Sequence, residues 1–463
     1  MTSSARPGVR PPLADIADRA GQDDLLQIRN DLMTVYRRID EDDDRLFPLR
    51  YARAGAIEQG RHGRRIEDAE AELPPILIIP DGPALASVLP YDVLRRMMTQ
   101  RGLDVIMVEH RGVGLSRLDA EGRDLPRASM RLENVLGDLL AVLDHAQVDR
   151  AVVYGVGYGG YLAQLLAALH PQRVHSLVLD SPLTGPDDEV ASQRRFRALY
   201  WDGADERTDS IARVVRRLVH EGVLDGRRAG PVLLAVHEYG GPDAVRDLVD
   251  LLAQGRGSLT WTSVREVLAQ EWLRTTPYVQ ENDLVSRISR TELGLGSHAD
   301  GGDLDPLQLT AQHPPDPEPF TGQPYDLPEL SRGITAPTLV LSGSTDLVTP
   351  PALAEALAAR IDGARLLRLP GLRHSILDAH PSVAIIAAWW SAAGCADLLA
   401  DRGPELAALP RASLNRVVGE GLRLALRAER LSPWGLRLAS ARFRRLEADV
   451  DPQGRRARRS RAL

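Results

Sequence analysis

"AVVYGVGYGGYLAQLLAALH", residues 151–170, joins an apolar run to a helical one through Gly155, Gly157, Gly159 and Gly160. A glycine cluster between a strand and a helix has two chemical meanings. Gly155, Gly157 and Gly160 match G-x-G-x-x-G, which brings backbone N–H groups close to a dinucleotide pyrophosphate. Asp180, about twenty residues on, stands where a ribose-binding carboxylate belongs. The same stretch also reads as the sharp turn G-x-S-x-G, with Gly157 in place of its central serine. The rest of the chain has to decide between them.

Outward from this stretch, apolar runs and helical patterns alternate. "PPILIIPDGP" (74–83), "LDVIMVEHRG" (103–112), "AVVYG" (151–155) and "VHSLVLDSP" (174–182) read as buried parallel strands, with "YDVLRRMMTQRG" and "RASMRLENVLGDLLAVLDHAQV" as helices between them. The alternation resumes with "APTLVLSGS" (336–344) and "ARLLRLPG" (364–371). Such spacing predicts an α/β fold with a mostly parallel sheet and helices on both faces. Residues 185–330 show helical patterns and no convincing strand, so they read as a helical cap inserted into the sheet domain. The chain divides into a mobile tail and short helix (1–40), a first core part (41–184), the cap (185–330), a second core part (331–395) and a helical extension with a basic tail (396–463). The nucleotide reading places its glycine motif after at least two βα units and leaves the later residues unexplained.

Those residues form an ordered set. Past the strand at 336–344 stands Asp346, in "SGSTDLVTPP". Past the one at 364–371 stands His374, in "LPGLRHSILD". A nucleophile turn, then an acid, then a histidine, each at the C-terminal end of a strand, is the order of a Ser-His-Asp triad on an open α/β sheet. Here the chain resembles the α/β-hydrolase superfamily, in its prolyl and tripeptidyl aminopeptidase-like branch. "VIMVEHRGVGLSR" resembles that branch's D-x-R-G-x-G-x-S turn, and "PDGPA" (80–84) stands where the branch has H-G-G-P-G. The elbow, acid and histidine stretches resemble their counterparts over roughly 74–184 and 331–392.

The resemblance implies an α/β-hydrolase sheet with Gly157 at the nucleophile position, Asp346 and His374 as acid and base, and the N–H groups of Gly82 and Tyr158 as the oxyanion hole. Two departures stand out. Pro80 and Asp81 replace the usual His-Gly, and Gly157 has no hydroxyl, so no acyl-enzyme can form there. Proteins of the N-myc downstream-regulated family show a similar glycine at the elbow and are regarded as non-hydrolytic. Ser181 is the nearest other hydroxyl and reads as a turn serine. Glu109 and Arg111 read as braces that pair with backbone and with each other, and His110 reads as a packing residue. Tyr158 reads as packing rather than a catalytic acid. Glu238, Glu271 and Glu281 lie where the branch carries cap carboxylates that bind a substrate amine, and each also reads as a solvated helix charge.

Composition narrows the partners. The net charge is -7 and all 57 basic residues are arginine, which gives no reason to invoke nucleic acid or an anionic membrane. The lone Cys395 excludes an internal disulfide and a cysteine-built metal site. The polar N-terminus lacks the apolar core of a signal peptide, so a cytoplasmic location is expected. No cofactor or metal is expected, and a small ester or peptide-like ligand is the expected partner. The chain is expected to be a hydrolase of small esters or short peptides by descent, running slowly if His374 activates a water in the gap left at Gly157. The alternatives are a binding pseudoenzyme and non-hydrolytic chemistry with His374 as base.

Overall fold

The computed structural model describes residues 31–55, 73–273, 276–311, 318–320, 322–411 and 413–431. Eight strands form one sheet: β1 (Leu32–Asp40), β2 (Asp43–Ala54), β3 (Ile76–Ile79), β4 (Val105–Val108), β5 (Ala151–Val156), β6 (Val174–Asp180), β7 (Thr338–Gly343) and β8 (Arg365–Leu369). Their order across the sheet is β1-β2-β4-β3-β5-β6-β7-β8, with β3 to β8 parallel and β1 and β2 antiparallel at one edge. This is the mostly parallel α/β sheet expected, and "AVVYG" lies inside it.

The parallel strands are apolar on both sides because both sides are covered. Along β3 and β5, Leu77, Ile79 and Val153 face one core, with α2 (Leu132–His145) and α3 (Tyr158–Leu169) packed on it. Ile76, Ile78, Val152, Tyr154 and Val156 face the other, under α1 (Asp92–Thr99) and the helix Pro381–Ala392. The period of two sends alternate residues to opposite cores. Each fully buried aliphatic side chain contributes about 1.5–3 kcal/mol.

Residues 32–40 correct the expected tail and short helix: they form β1, paired with β2 from Leu32↔Ala52 to Asp40↔Asp43. Two runs rich in aromatic and aliphatic residues flank the acidic turn Asp40–Asp43, which makes a hairpin. Residues 1–30, and the basic tail within 432–463, lie outside the described residues.

The described chain divides into two compact units. One contains residues 1–191, 271–298 and 313–413, and holds the whole sheet. The other contains residues 192–270, 299–312 and 414–463. The stretch 276–281, expected to belong to the insertion, hydrogen-bonds within the sheet unit: Ala86 N donates to Val279 O at 2.9 Å and Glu281 N to Ala84 O at 2.9 Å. In the second unit, helices Gly226–Ala253 and Leu414–Leu431 pack closely, and Arg430 pairs with Asp247 at 2.6 Å. Among the described residues no helix is long and apolar enough to cross a membrane.

A buried ion pair ties the edge hairpin to the rest of the sheet unit. Arg111 donates to Asp138 at 2.6 and 2.8 Å and to Ile39 O at 2.8 Å, and lies over the Phe47 ring. It braces the turn as expected, but its partner is Asp138 rather than Glu109. Asp138→Ala leaves a buried guanidinium without its carboxylate, and is expected to destabilise the protein by about 3–5 kcal/mol in urea unfolding.

Candidate active site

The glycines of the elbow are there for close approach. Strand β5 ends at Val156, Gly157 turns with φ 49°, and α3 begins at Tyr158. A Cβ at Gly155 would overlap the carbonyl of Gly159, and one at Gly159 would overlap the carbonyl of Ile79. Glycine is required wherever backbones meet this closely. The nucleotide reading does not hold at its acidic residue. Asp180 is fully buried and accepts Ile376 N at 2.9 Å, Leu377 N at 2.8 Å and the Tyr154 hydroxyl at 2.9 Å. Burial raises its carboxyl to about 6, against those hydrogen bonds. Asp180 anchors the two residues that follow Ser375, and so positions His374.

Asp346 leaves β7 in a turn that fills its lone pairs. Its Oδ1 accepts Val348 N at 2.8 Å and Thr349 N at 2.9 Å, and its Oδ2 accepts the Thr349 hydroxyl at 2.8 Å. His374 Nδ1 lies 3.1 Å from the same Oδ2. On the other side of the imidazole, Nε2 lies 3.4 Å from Asp81 Oδ2. The ring is thus held between two carboxylates, one at each nitrogen.

Asp81 also reaches the elbow. Its Oδ1 accepts the N–H of Gly82 at 2.9 Å and of Tyr158 at 3.0 Å. These two N–H groups converge on one point, as an oxyanion hole requires, and that point is a carboxylate oxygen of the protein itself. A Cβ at Gly157 would overlap the same oxygen. The carboxylate therefore fills the gap where an activated water was expected.

The charges follow from this arrangement. Burial works against ionised His374, but the charge and hydrogen bond of Asp346, and then those of Asp81, hold its pKa well above the ordinary imidazole value. Burial likewise opposes ionised Asp81, yet His374 and the N–H groups of Tyr158 and Gly82 keep it below the ordinary carboxylate range. The two flanking carboxylates therefore favour the protonated form of His374, which works against its use as a base in the resting site.

The surrounding residues are braces. Glu109 accepts Ser87 N at 2.7 Å, Val88 N at 2.9 Å and Leu115 N at 3.0 Å. His110 Nδ1 meets Arg111 O at 2.6 Å and its Nε2 meets the Tyr158 hydroxyl at 3.1 Å, and burial pushes its pKa down to about 4, which favours the neutral ring. The Tyr158 hydroxyl is thus engaged by His110. Ser181 is buried and its Oγ accepts Ser375 N at 3.3 Å. Glu281 is also buried, accepting Gly114 N at 3.1 Å and Tyr278 N at 3.0 Å, which removes it as an amine-binding residue. Glu238 lies half-buried on a helix of the second unit, and the side chain of Glu271 lies outside the described residues. Asp81, Glu109, His110 and Tyr158 help line a cavity of about 30 Å³, enough to hold water.

Residues 74–221 match the family described as alpha/beta hydrolase fold. The chain has that fold. A probable proline iminopeptidase of Streptomyces coelicolor is 30% identical over 114 residues, covering 25% of this chain and 35% of its own, so that match spans about a third of the relative. Rhodomycin D methylesterase DnrP of Streptomyces peucetius is 27% identical over 307 residues, 65% of this chain and 85% of that one. The crystal structure of a proline iminopeptidase from Mycobacterium smegmatis superposes with a TM-score of 0.46 and 16% identity, over 80% of this chain and 100% of that one. The homologues of this alpha/beta-hydrolase-fold chain are therefore iminopeptidase-like and esterase-like.

Sequence reasoning missed Asp81 as a site residue. The departure from H-G-G-P-G at 80–83 was visible, and a carboxylate beside the oxyanion glycine in a chain without an elbow hydroxyl was the available signal. The charge state is open to measurement. In ¹⁵N NMR, His374 should stay doubly protonated above the usual imidazole range, and Asp81→Asn should move its titration down. Stability should follow: the His374 contribution is complete below its unfolded value of about 6.5 and is lost as pH rises through its raised folded value. The Asp81 contribution is present above its unfolded value of about 3.9 and is lost as pH falls through its lowered folded value.

Proposed function

We propose that this chain is a small-molecule hydrolase, of esterase and iminopeptidase ancestry, that works without an elbow serine and relies on Asp81, His374 and Asp346. The observation that carries this reading is the double use of Asp81: Oδ1 on both converging N–H groups, Oδ2 facing His374 Nε2. Serine acyl transfer needs a hydroxyl at the elbow and a vacant oxyanion hole. Gly157 supplies no hydroxyl and Asp81 fills the hole. Slow hydrolysis by a His374-activated water, and proton abstraction by His374, both need a neutral imidazole in the resting site, which the two flanking carboxylates disfavour. A pocket used for binding alone has no need of an imidazolium braced by Asp346 and aimed at a second carboxylate. What remains is chemistry in which a carboxylate and an imidazolium act together.

The ligand expected is a small neutral molecule, because a carboxylate already balances the imidazolium. The native protein should neither react with a fluorophosphonate probe nor hydrolyse p-nitrophenyl acetate or proline p-nitroanilide above buffer. Gly157→Ser alone should change little, since its Cβ would run into Asp81 Oδ1. Asp81→Gly combined with Gly157→Ser frees both N–H groups and supplies the hydroxyl. That double variant should gain ester hydrolysis of about 100-fold or more over buffer, together with probe labelling, and lose both with His374→Ala. Labelling of the native chain, or a single Gly157→Ser variant as active as the double one, would sink the reading.

A further inference from the structure

Helix Leu414–Leu431 has two faces, and its own unit uses one of them. Gly419 and Leu426 are buried on that face, and Leu422 and Glu429 are half-buried beside them. A Cβ at Gly419 would overlap the carbonyl of Tyr239, so glycine lets this helix lie directly on helix Gly226–Ala253. Glu429 accepts Leu259 N at 2.9 Å and Thr260 N at 3.3 Å, and Arg423 donates to Gly240 O at 3.1 Å. These contacts fix the helix about its axis, and with it the direction of the opposite face.

That opposite face is apolar and, among the described residues, uncovered. Val417, Leu424 and Leu431 recur every seven residues and are 64%, 68% and 82% exposed. Gly421 and Ala428 stand between them at alternating spacings of four and three, with Val418 and Ala425 alongside, all exposed. Alternation of four and three is the period of two helices packed side by side. A single exposed leucine needs no explanation, but a continuous seam of this period does.

We infer that the chain pairs with a second copy of itself along this seam, the two helices antiparallel about a two-fold axis. Direction and register come from the side chains. With residue 421 of each helix opposite residue 424 of the other, Leu424 enters the space that Gly421 leaves open, and Val417 lies against Ala428. The same register sets Val418 beside Ala425 on one flank and Glu420 beside Arg427 on the other. Within its own chain Glu420 accepts from Arg416 at 2.7 Å, while Arg427 has no ion-pair partner among the described residues. Parallel helices would set Gly421 on Gly421, leaving a gap, and Glu420 beside Ala425, leaving both charges without a partner across the seam. Volume and charge therefore agree on the antiparallel pair, and the two-fold axis makes each contact twice. At 1.5 Å per residue the seam is about 20 Å long. An interface of that size falls below about 1,200 Å², the range of transient association.

Analytical ultracentrifugation of the full chain should show a monomer–dimer equilibrium with a Kd on the order of tens of micromolar. Leu424→Arg should weaken it about tenfold or more, because each dimer would then bury two guanidinium groups without partners. Glu420→Arg and Arg427→Glu should each weaken it about threefold or more by setting like charges opposite one another. Combined in one chain, the two exchanges restore opposite charges across the axis and should return the Kd to within about twofold of the parent. All three side chains are exposed on the outer face, so the packing on helix Gly226–Ala253 is untouched, and a single variant weakened by misfolding would not be rescued by the second exchange. Sedimentation as a monomer up to about 200 µM, with the seam bare or covered by residues 432–463, would overturn the inference. So would a dimer that Leu424→Arg leaves intact, or a double exchange that fails to restore pairing.

Discussion

The N–H groups of Gly82 and Tyr158 point at one position, and in this protein that position is held by Asp81 Oδ1. Much of the site follows from that contact. The carboxylate stands where a side chain at residue 157 would lie, so the turn is open only to glycine while Asp81 stays in place. Its second oxygen faces His374 and adds a second negative charge to the one that Asp346 supplies, and the two together favour the protonated imidazole. Glycine at 157 removes the hydroxyl, and the one carboxylate beside it occupies the point where the two N–H groups converge and favours the protonated imidazole.

Environment separates the acidic residues around this imidazole. Asp180, deep beneath the sheet's C-terminal edge, is pushed upward by burial and spends its oxygens on the backbone that follows His374. Asp81 has a third of its side chain in solvent and is pulled down by His374 and two N–H donors. Carboxyls driven in opposite directions by their surroundings suit different roles: the first is positional, and the proposed function gives the chemistry to the second. Glu109 is also positional, accepting backbone N–H groups of the segment after β3 and of the turn after β4.

Much of this was legible in the residues. Runs such as ILII, VIMV and AVVYGV are apolar at every position because helices cover both faces of the sheet, and that pattern identifies parallel strands without coordinates. The order of elbow, Asp346 and His374 along the chain was also readable, since each follows a strand that ends at the same edge. The hairpin β1–β2 was not. Its residues alternate between partly buried and exposed, and arginines interrupt them, so their strand character depends on pairing with β4. The stretch 276–281 was placed with the insertion because it follows a run of helices, whereas its hydrogen bonds go to residues 84–86.

By itself, then, the sequence determined the architecture and the chain order of the site, because periodicity and turn chemistry are local properties of neighbouring residues. It also excluded an acyl-enzyme at residue 157, since that depends on one missing atom. Tertiary structure alone decided what stands in the vacated space. Residues 81, 157 and 374 are far apart in the chain, and whether a carboxylate two residues past β3 reaches an N–H at the start of α3 depends on how close β3 and β5 lie. They are hydrogen-bonded neighbours, with Ile79 opposite Gly155, and the missing Cβ atoms at Gly155 and Gly159 let the helix settle against them. That proximity brings Asp81 within reach of both N–H groups and of His374, and the charge state of the site follows from it.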